Sequence, residues 1–377
     1  MRLDESLVPS GMSYARFARQ SSSVAVAACA LVLGACSSMP RSVPEAEPEV
    51  REPVTFDENV IGWASVPDLG LEGTTGGLGG EIVNVTTLAD FVREVNVVGP
   101  RIIVVDGVIG DGTRVSITPN KTVLGAVGAE FHGGLRVDGA TNVIVRNLKI
   151  VGNNCSDSPD ECSGGADAFS IGDSAHHVWV DHCDISDGSD GNLDVNDGAD
   201  YVTISFTKFS YSGQRPGSHQ FSNLVGSGDN VPSDAGHLRV TYHHNWWADN
   251  VHERMPRVRY GAVHVFNNLY TATGNNYCIG LGYYANVLSE NNTFVGVQDP
   301  IQSVKYSNAE SVLVTRGDLF LGTSGAREGK AGASFEPPYA YQLESPESIE
   351  QSVRKNAGVC AAPNVFTAGA VPTCAAP

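Results

Sequence analysis

The sequence predicts an all-β fold, a right-handed parallel β-helix with a short N-terminal capping helix. Three observations lead to this prediction. A strand-length segment recurs along the chain, its copies follow at a period near 24 residues with two longer insertions, and an asparagine recurs at one offset in consecutive copies. Repeats that contact only their neighbours are typical of solenoids.

The recurrent segment begins on Val and ends on a large apolar residue, with start-to-start spacings of 35, 24, 38, 23, 24 and 25 residues. A period near 24 residues, with two longer insertions, is too short for a pair of helices. The copies are rich in β-branched residues and alternate in polarity, which indicates strands. A β-sandwich would need tight hairpin turns, of which the sequence shows few. The seven copies are Val143–Ile150, Val178–Ile185, Val202–Phe209, Val240–Trp247, Val263–Tyr270, Val287–Phe294 and Val312–Leu319.

Asn245, Asn268 and Asn292 share one offset in three consecutive copies. Asn tolerates the left-handed conformation of a sharp corner, and stacked Asn side chains can hydrogen-bond along the pile, so we expect a structural ladder rather than a glycan-binding role. The segment Thr87–Val95 has a Thr cap and helical apolar spacing, which predicts the capping helix. After about Gly325 the repeat is lost, and this tail is expected to pack outside the coils.

The first 36 residues have the form of a lipoprotein signal peptide. Arg16 and Arg19 precede the apolar run Val24–Leu33, which is too short to span a bilayer. The sequence Leu33-Gly34-Ala35-Cys36 resembles a bacterial lipobox, which predicts lipidation of Cys36. The alternative is an ordinary signal peptide with a coincidental Cys.

Three segments follow from this interpretation: the leader 1–36, a disordered Pro- and Glu-rich tether at 37–55, and the β-helix domain at 56–377. We expect an exported protein, an outer-membrane lipoprotein or a secreted protein, that meets a membrane only through its lipid anchor. A monomer is the default expectation. Export permits disulfides, and the candidate local pairs are Cys155 with Cys162 and Cys360 with Cys374.

The formal net charge of −18 argues against nucleic acid as a partner, because phosphates would have to meet scarce Lys and Arg side chains. An acidic polysaccharide remains possible if a divalent cation lies between acidic side chains and the polymer, since the ion is then the largest local charge.

Three acidic residues precede the second and third aligned strands. Asp167 lies 11 residues before Val178, and Asp190 and Asp194 lie 12 and 8 residues before Val202, so stacking would bring all three to one face. Hard carboxylate oxygens in a flexible set suit calcium, which takes about 6 to 8 oxygen ligands. Asp and Gly also populate turns, and spacing alone does not separate the two interpretations.

The segment Arg254-Met255-Pro256-Arg257-Val258-Arg259 favours the metal site. It lies 4 to 9 residues before Val263, which predicts the same face one or two coils later. Arginines beside an acidic metal site can hold carboxylates in forked geometry. In the alternative, Arg257 only pairs with the acids and supports the fold.

These segments together resemble the pectate lyases. The resemblance runs from about residue 76 to residue 297, and the order of its motifs is more specific than any one of them. The motifs are Asp167-Ala168-Phe169, Val178-Trp179-Val180-Asp181-His182, Asp190-Gly191-Asn192-Leu193-Asp194, the arginine segment, and His264-Val265-Phe266-Asn267-Asn268.

The resemblance implies a calcium-dependent lyase that cleaves α-1,4-polygalacturonate by β-elimination to unsaturated oligogalacturonides. It implies Asp167, Asp190 and Asp194 as calcium ligands, Arg254 as the base that removes the C5 proton, and Arg259 as a substrate-binding residue. Because a guanidinium ordinarily keeps its proton near neutral pH, an arginine base predicts an alkaline activity optimum.

One departure concerns a substrate-binding Lys that the family usually carries before a turn like Leu224-Val225-Gly226-Ser227. The stretch 214–223 has no Lys, and the candidates to replace it are Arg215 and His219. The tolerated degree of methyl esterification is therefore open.

Three alternatives remain. A pectin lyase that acts on methylated pectin without calcium would be expected to lack the acidic cluster. A polygalacturonate hydrolase would need a Gly-His-Gly segment that is absent here. A non-catalytic, glycan-binding surface β-helix would be expected to lose the acids or Arg254, and neither is lost.

Overall fold

A computed structural model of the chain describes residues 60–152, 166–213 and 219–359. The predicted leader, tether, Cys36, Arg215 and both candidate cysteine pairs lie outside these ranges. Within them, strands from successive coils stack into three parallel sheets, which gives the predicted right-handed parallel β-helix. No helix in the described ranges is long and apolar enough to cross a membrane.

The strands in chain order are β1 Glu81–Val85, β2 Arg101–Val105, β3 Val108–Ile109, β4 Arg114–Ser116, β5 Lys121–Gly125, β6 Glu130–His132, β7 Gly134–Asp138, β8 Thr141–Arg146, β9 Lys149–Val151, β10 Phe169–Gly172, β11 His176–Asp181, β12 Asp184–Ser186, β13 Leu193–Val195, β14 Asp200–Ser205, β15 Lys208–Ser210, β16 Leu224–Val225, β17 Val240–His243, β18 Trp246–Trp247, β19 Arg257–Val258, β20 Ala262–Phe266, β21 Leu269–Tyr270, β22 Ile279–Leu281, β23 Asn286–Glu290, β24 Thr293–Val295, β25 Ile301–Gln302, β26 Val312–Arg316 and β27 Leu319–Leu321. Helices α1 and α2 span Leu88–Val95 and Pro346–Asn356, and 3-10 turns occur at Trp63–Ser65 and Pro232–Asp234.

Each complete coil, from β2–β4 to β23–β25, contributes one strand to each sheet, whereas the first coil has only β1 and the last only β26 and β27. The first sheet has the order β1-β2-β5-β8-β11-β14-β17-β20-β23-β26. The second has the order β4-β7-β10-β13-β16-β19-β22-β25, and the third β3-β6-β9-β12-β15-β18-β21-β24-β27.

The register of the first sheet confirms six of the seven predicted copies. Val178 pairs with Val143 and with Val202, and the matches continue through Val240, Val263 and Val287. The seventh alignment is wrong by one residue, because Val312 pairs with Asn286. Three further coils, with β1, β2 and β5, precede the first predicted copy.

The asparagine ladder is confirmed. The Asn268 amide donates to Asn292 Oδ1 at 2.9 Å, and Asn245 donates to Asn268 Oδ1 at 3.1 Å. Thr207 and Asp318 extend the pile at its two ends. Because the three Asn side chains are buried, each bond between them satisfies a polar atom that would otherwise cost about 1–3 kcal/mol.

The ladder residues do not themselves adopt the left-handed conformation, so that part of the prediction is wrong. The residue before each ladder position does, with φ between 45° and 70°. Stacked rings help to hold bulky residues at these corners: the centroid of the Phe206 ring lies 4.7 Å from that of His182 and 4.5 Å from that of His244. The corner residues are Asn147, His182, Phe206, His244, Asn267, Asn291 and Gly317.

Helix α1 begins after Thr87, whose side chain accepts a hydrogen bond from Asp90 N, as predicted. Its Phe91 and Val95 are buried against the first coils. The tail packs outside the coils as expected. Tyr339 forms a hydrogen bond with Thr241, and Ile349 of α2 packs against Leu269 in β21 of the third sheet. Helix α1 therefore packs at the first coils, whereas the tail lies against the sides of the first and third sheets.

Candidate active site

Three carboxylates converge on the outer face of the second sheet. Asp167 lies two residues before β10, Asp190 lies three before β13, and Asp194 is in β13. Strand β10 pairs directly with β13, so one coil step brings the first acid beside the other two. One oxygen atom from each side chain lies within 4.8 Å of the others.

The electrostatics of these acids are unusual for surface carboxylates. Burial raises the pKa of Asp167 to about 7, and the charge of Asp190 adds to the effect. Burial, followed by the charge of Asp167, raises the pKa of Asp194 well above its ordinary value. Asp190 differs, because its hydrogen bond from His219 lowers its pKa.

The arrangement fits a divalent cation. The buried Asp167 Oδ1 has no hydrogen-bond partner among the described residues. A Cβ at Gly191 would lie 3.0 Å from Oδ1 of both Asp167 and Asp194, so glycine keeps the space between those atoms open. Asp194 is oriented by Leu224 N, which donates to its Oδ1 at 2.9 Å. Oxygen donors, held apart and incompletely satisfied, are a ligand set suited to calcium.

Arg254 lies beside this triad and interacts electrostatically with all three carboxylates. Its backbone has φ 61°, a left-handed conformation that non-glycine residues adopt mainly at turns and functional sites. Asn223 N donates to its carbonyl at 2.6 Å, which helps to hold that conformation. The guanidinium lies 4.1 Å from the Phe221 ring centroid, and its buried Nε has no hydrogen-bond partner in the described ranges.

The other two arginines of the segment differ from each other. Arg259 is 9% exposed and is engaged by protein groups: its Nε donates to Asp229 Oδ1 at 2.6 Å and its Nη1 to Gly226 O at 2.9 Å. Arg257 lies in β19, with its guanidinium 4.2 Å from the Tyr306 ring centroid.

His219 joins the acidic cluster rather than standing apart from it. Its Nε2 lies 2.9 Å from Asp190 Oδ1, and its ring contacts Phe221 at 4.3 Å between centroids. The same Phe221 ring therefore contacts both His219 and Arg254.

The family model for pectate lyase matches residues 53–362. The chain belongs to the pectate lyase family. It is 33% identical to pectate lyase E of Dickeya dadantii, over 79% of this chain and 85% of that one. It is 38% identical to the pectate trisaccharide-lyase of Thermotoga maritima, but that match covers only 58% of each chain.

Among solved structures, a pectate lyase from Bacillus sp. N165 in complex with trigalacturonate matches with a TM-score of 0.66 and 28% identity. The match covers 80% of this chain and 99% of the Bacillus chain. The described coils therefore have the pectate lyase fold.

Sequence reasoning missed two residues of this site. Phe221 supports Arg254 and carries no motif that distinguishes it from a core aromatic. Arg114, in β4, donates to Ser170 Oγ at 3.1 Å and interacts electrostatically with Asp167. Its coil precedes the predicted repeat, and only the register of β4 with β7, and of β7 with β10, relates it to the acids.

Proposed function

We propose that the protein is a calcium-dependent pectate lyase that cleaves polygalacturonate by β-elimination. The observation that carries this proposal is the triad of Asp167, Asp190 and Asp194, with an unsatisfied buried oxygen, beside Arg254. Membership of the pectate lyase family supports the same reaction class.

Asp167, Asp190 and Asp194 would hold the calcium. When bound, the ion would neutralise a uronate carboxylate and so acidify the proton at C5 of that sugar. The three side chains then have a cation to share, and their mutual repulsion is relieved.

Arg254 would take the C5 proton. The electron pair left at C5 forms the C4=C5 double bond as the C4–O glycosidic bond breaks, the leaving oxygen takes a proton from solvent, and no water is consumed. Arg254 is suited to this role because Phe221 fixes the plane of its guanidinium while its Nε makes no bond to protein groups in the described ranges. The base must be unprotonated, so activity is expected to rise toward alkaline pH.

The test is ultraviolet absorbance of the unsaturated uronide product, with polygalacturonate as substrate. We expect absorbance to rise with calcium, to stop with excess chelator, and to fall by roughly 10²-fold or more in Arg254→Lys, consistent with loss of a general base. Arg354→Gln is a matched control, since Arg354 also lies over an aromatic ring, 5.0 Å from the Trp246 centroid, but on α2. A rise that survives chelation would contradict the calcium requirement, and no rise on pectate or pectin would contradict lyase activity.

We propose in addition that the enzyme is exported as a monomer with a lipid anchor at Cys36. The lipobox-like sequence Leu33–Cys36 supports the anchor. Mass spectrometry of the mature N-terminus tests it: a diacylated Cys36 is expected, and an unmodified N-terminus at another residue would contradict it. Gel filtration of the Cys36→Ser protein tests the monomer.

A further inference from the structure

The guanidinium groups of Arg254 and Arg257 have similar surroundings, although only Arg254 has a role in the proposed reaction. Each guanidinium lies over an aromatic ring, Phe221 at 4.1 Å and Tyr306 at 4.2 Å between the Cζ atom and the ring centroid. Each has a buried Nε without a hydrogen-bond partner in the described ranges. Stacking uses the face of a guanidinium and leaves the N–H donors in its plane free, so both groups are prepared to bind an anion.

Arg257 is directed toward the same face as the acidic triad. Val258 is fully buried in the core, and strand alternation therefore points its neighbour Arg257 outward. In the second sheet Arg257 pairs with Leu224, whose backbone N–H binds Asp194. Two strand steps of roughly 4.8 Å thus separate Arg257 from Asp194, so a polymer bound along this face can reach both residues.

The surroundings of Arg257 are cationic and aromatic. Lys305 Nζ lies 4.9 Å from the Tyr306 centroid, and the Tyr277 ring packs against Tyr306 at 5.5 Å. Gly280, paired with Arg257 in the sheet, makes room for Tyr277, because a Cβ there would lie 2.7 Å from that ring.

The nearby acids are engaged elsewhere. Asp229 accepts from Arg259, and Glu253 accepts from Asn276 Nδ2 at 2.8 Å. No ion pair to Arg257 occurs among the described residues. Burial lowers the pKa of Arg257, and the charge of Arg259 adds to this, as expected for a cation whose own anion is not supplied by the protein.

We propose that Arg257, with Lys305 beside it, binds the free carboxylate of a uronate unit next to the one being cleaved. This inference rests on the proposed lyase function for its substrate class. A free carboxylate would be required at this subsite, because a methyl ester offers no charge to a guanidinium.

The experiment compares Arg257→Gln with Arg257→Lys on polygalacturonate and on highly methyl-esterified pectin, in calcium. For polygalacturonate we expect the KM of Arg257→Gln to rise roughly 10- to 100-fold, the size of a lost charged hydrogen bond, with kcat within about threefold. Arg257→Lys should recover part of the loss. The KM for esterified pectin should not change, and Arg354→Gln should match wild type on both substrates.

An unchanged KM for polygalacturonate in Arg257→Gln would overturn the subsite while leaving the lyase function intact. If wild type has no lyase activity, the proposed function fails, and calorimetric binding of trigalacturonate to the calcium-loaded protein still decides the subsite. Roughly tenfold weaker binding by Arg257→Gln than by wild type would support it, and equal binding would overturn it. Near-ultraviolet circular dichroism of each variant separates these outcomes from misfolding.

Discussion

Without calcium, the Asp167→Asn variant is expected to be more stable than wild type. With calcium, it is expected to be less stable than wild type. The folded-state pKa of Asp167 is raised to about 7 from 3.8 by burial and by Asp190. Between these pH values the unfolded chain releases a proton that the folded chain keeps, so stability falls as the pH rises through this range. The loss is complete above pH 7 and amounts to at most about 4 kcal/mol.

An amide at position 167 removes the buried charge and can donate to the carboxylates of Asp190 and Asp194. In chelator at pH 8 we therefore expect the variant to be more stable than wild type by about 1–3 kcal/mol, or roughly 2–6 °C in the thermal midpoint. Calcium at a thousandfold excess over its Kd would stabilise wild type by about 4.1 kcal/mol, and the variant by much less. The order of the two midpoints should then reverse.

Differential scanning calorimetry at pH 5 and pH 8, with chelator or with calcium, measures all four conditions. Glu310→Gln, which changes an exposed acid away from the triad, controls for the loss of one charge. At pH 5 the difference between wild type and variant in chelator should shrink, because Asp167 then keeps its proton. The reasoning is refuted if the variant is the less stable protein in chelator at pH 8, or if calcium raises both midpoints equally.

Three further substitutions test the fold, each by its thermal midpoint. Asn268→Ala removes five hydrogen bonds of the buried ladder and should cost about 3–5 kcal/mol; a change under about 1 kcal/mol would contradict its structural role. Asp181→Asn leaves Arg146 without its carboxylate partner at 2.7 Å and should cost about 3–5 kcal/mol at pH 7. His182, with Arg146, holds the pKa of Asp181 below its ordinary value, so wild type should lose this advantage as the pH falls below about 4. Tyr339→Phe loses the bond to Thr241 and should cost about 1–2 kcal/mol, with proteolysis of the tail as a second readout.

The sequence was sufficient to predict the coils wherever one corner pattern repeats. Valine at the strand start, and Asn five residues later in the three copies from Val240, are local requirements of a strand and a buried corner, so they appear directly in the residues. The last copy was misaligned because Asp318 replaces Asn at the ladder position and Gly317 replaces a side-chain residue at the corner. Aligning that Gly-Asp pair with Asn291-Asn292 would have given the correct register.

The acidic triad was predictable for the same reason, since its members lie close to aligned strands. The aromatic supports of the arginines were not. Tyr306 lies in the turn after β25, and its contact with Arg257 depends on how turns of different length fold over the sheet. Neither periodicity nor spacing carries that information, because turn conformations are set by contacts between coils.

The fold explains how a strongly acidic chain can bring three carboxylates within 4.8 Å. Parallel strands fix the spacing of the coils through backbone hydrogen bonds, and the repulsion among the acids therefore cannot separate them without breaking a sheet. Arg254 and Arg257 come from a later coil, the one that contributes β19 to the second sheet. Their positive charges therefore lie beside the triad without pairing directly with its carboxylates. In the proposed function, the outward row of the second sheet would offer a calcium ion at the triad and guanidinium groups beyond it, and both would complement the repeated negative charges of a polyuronate.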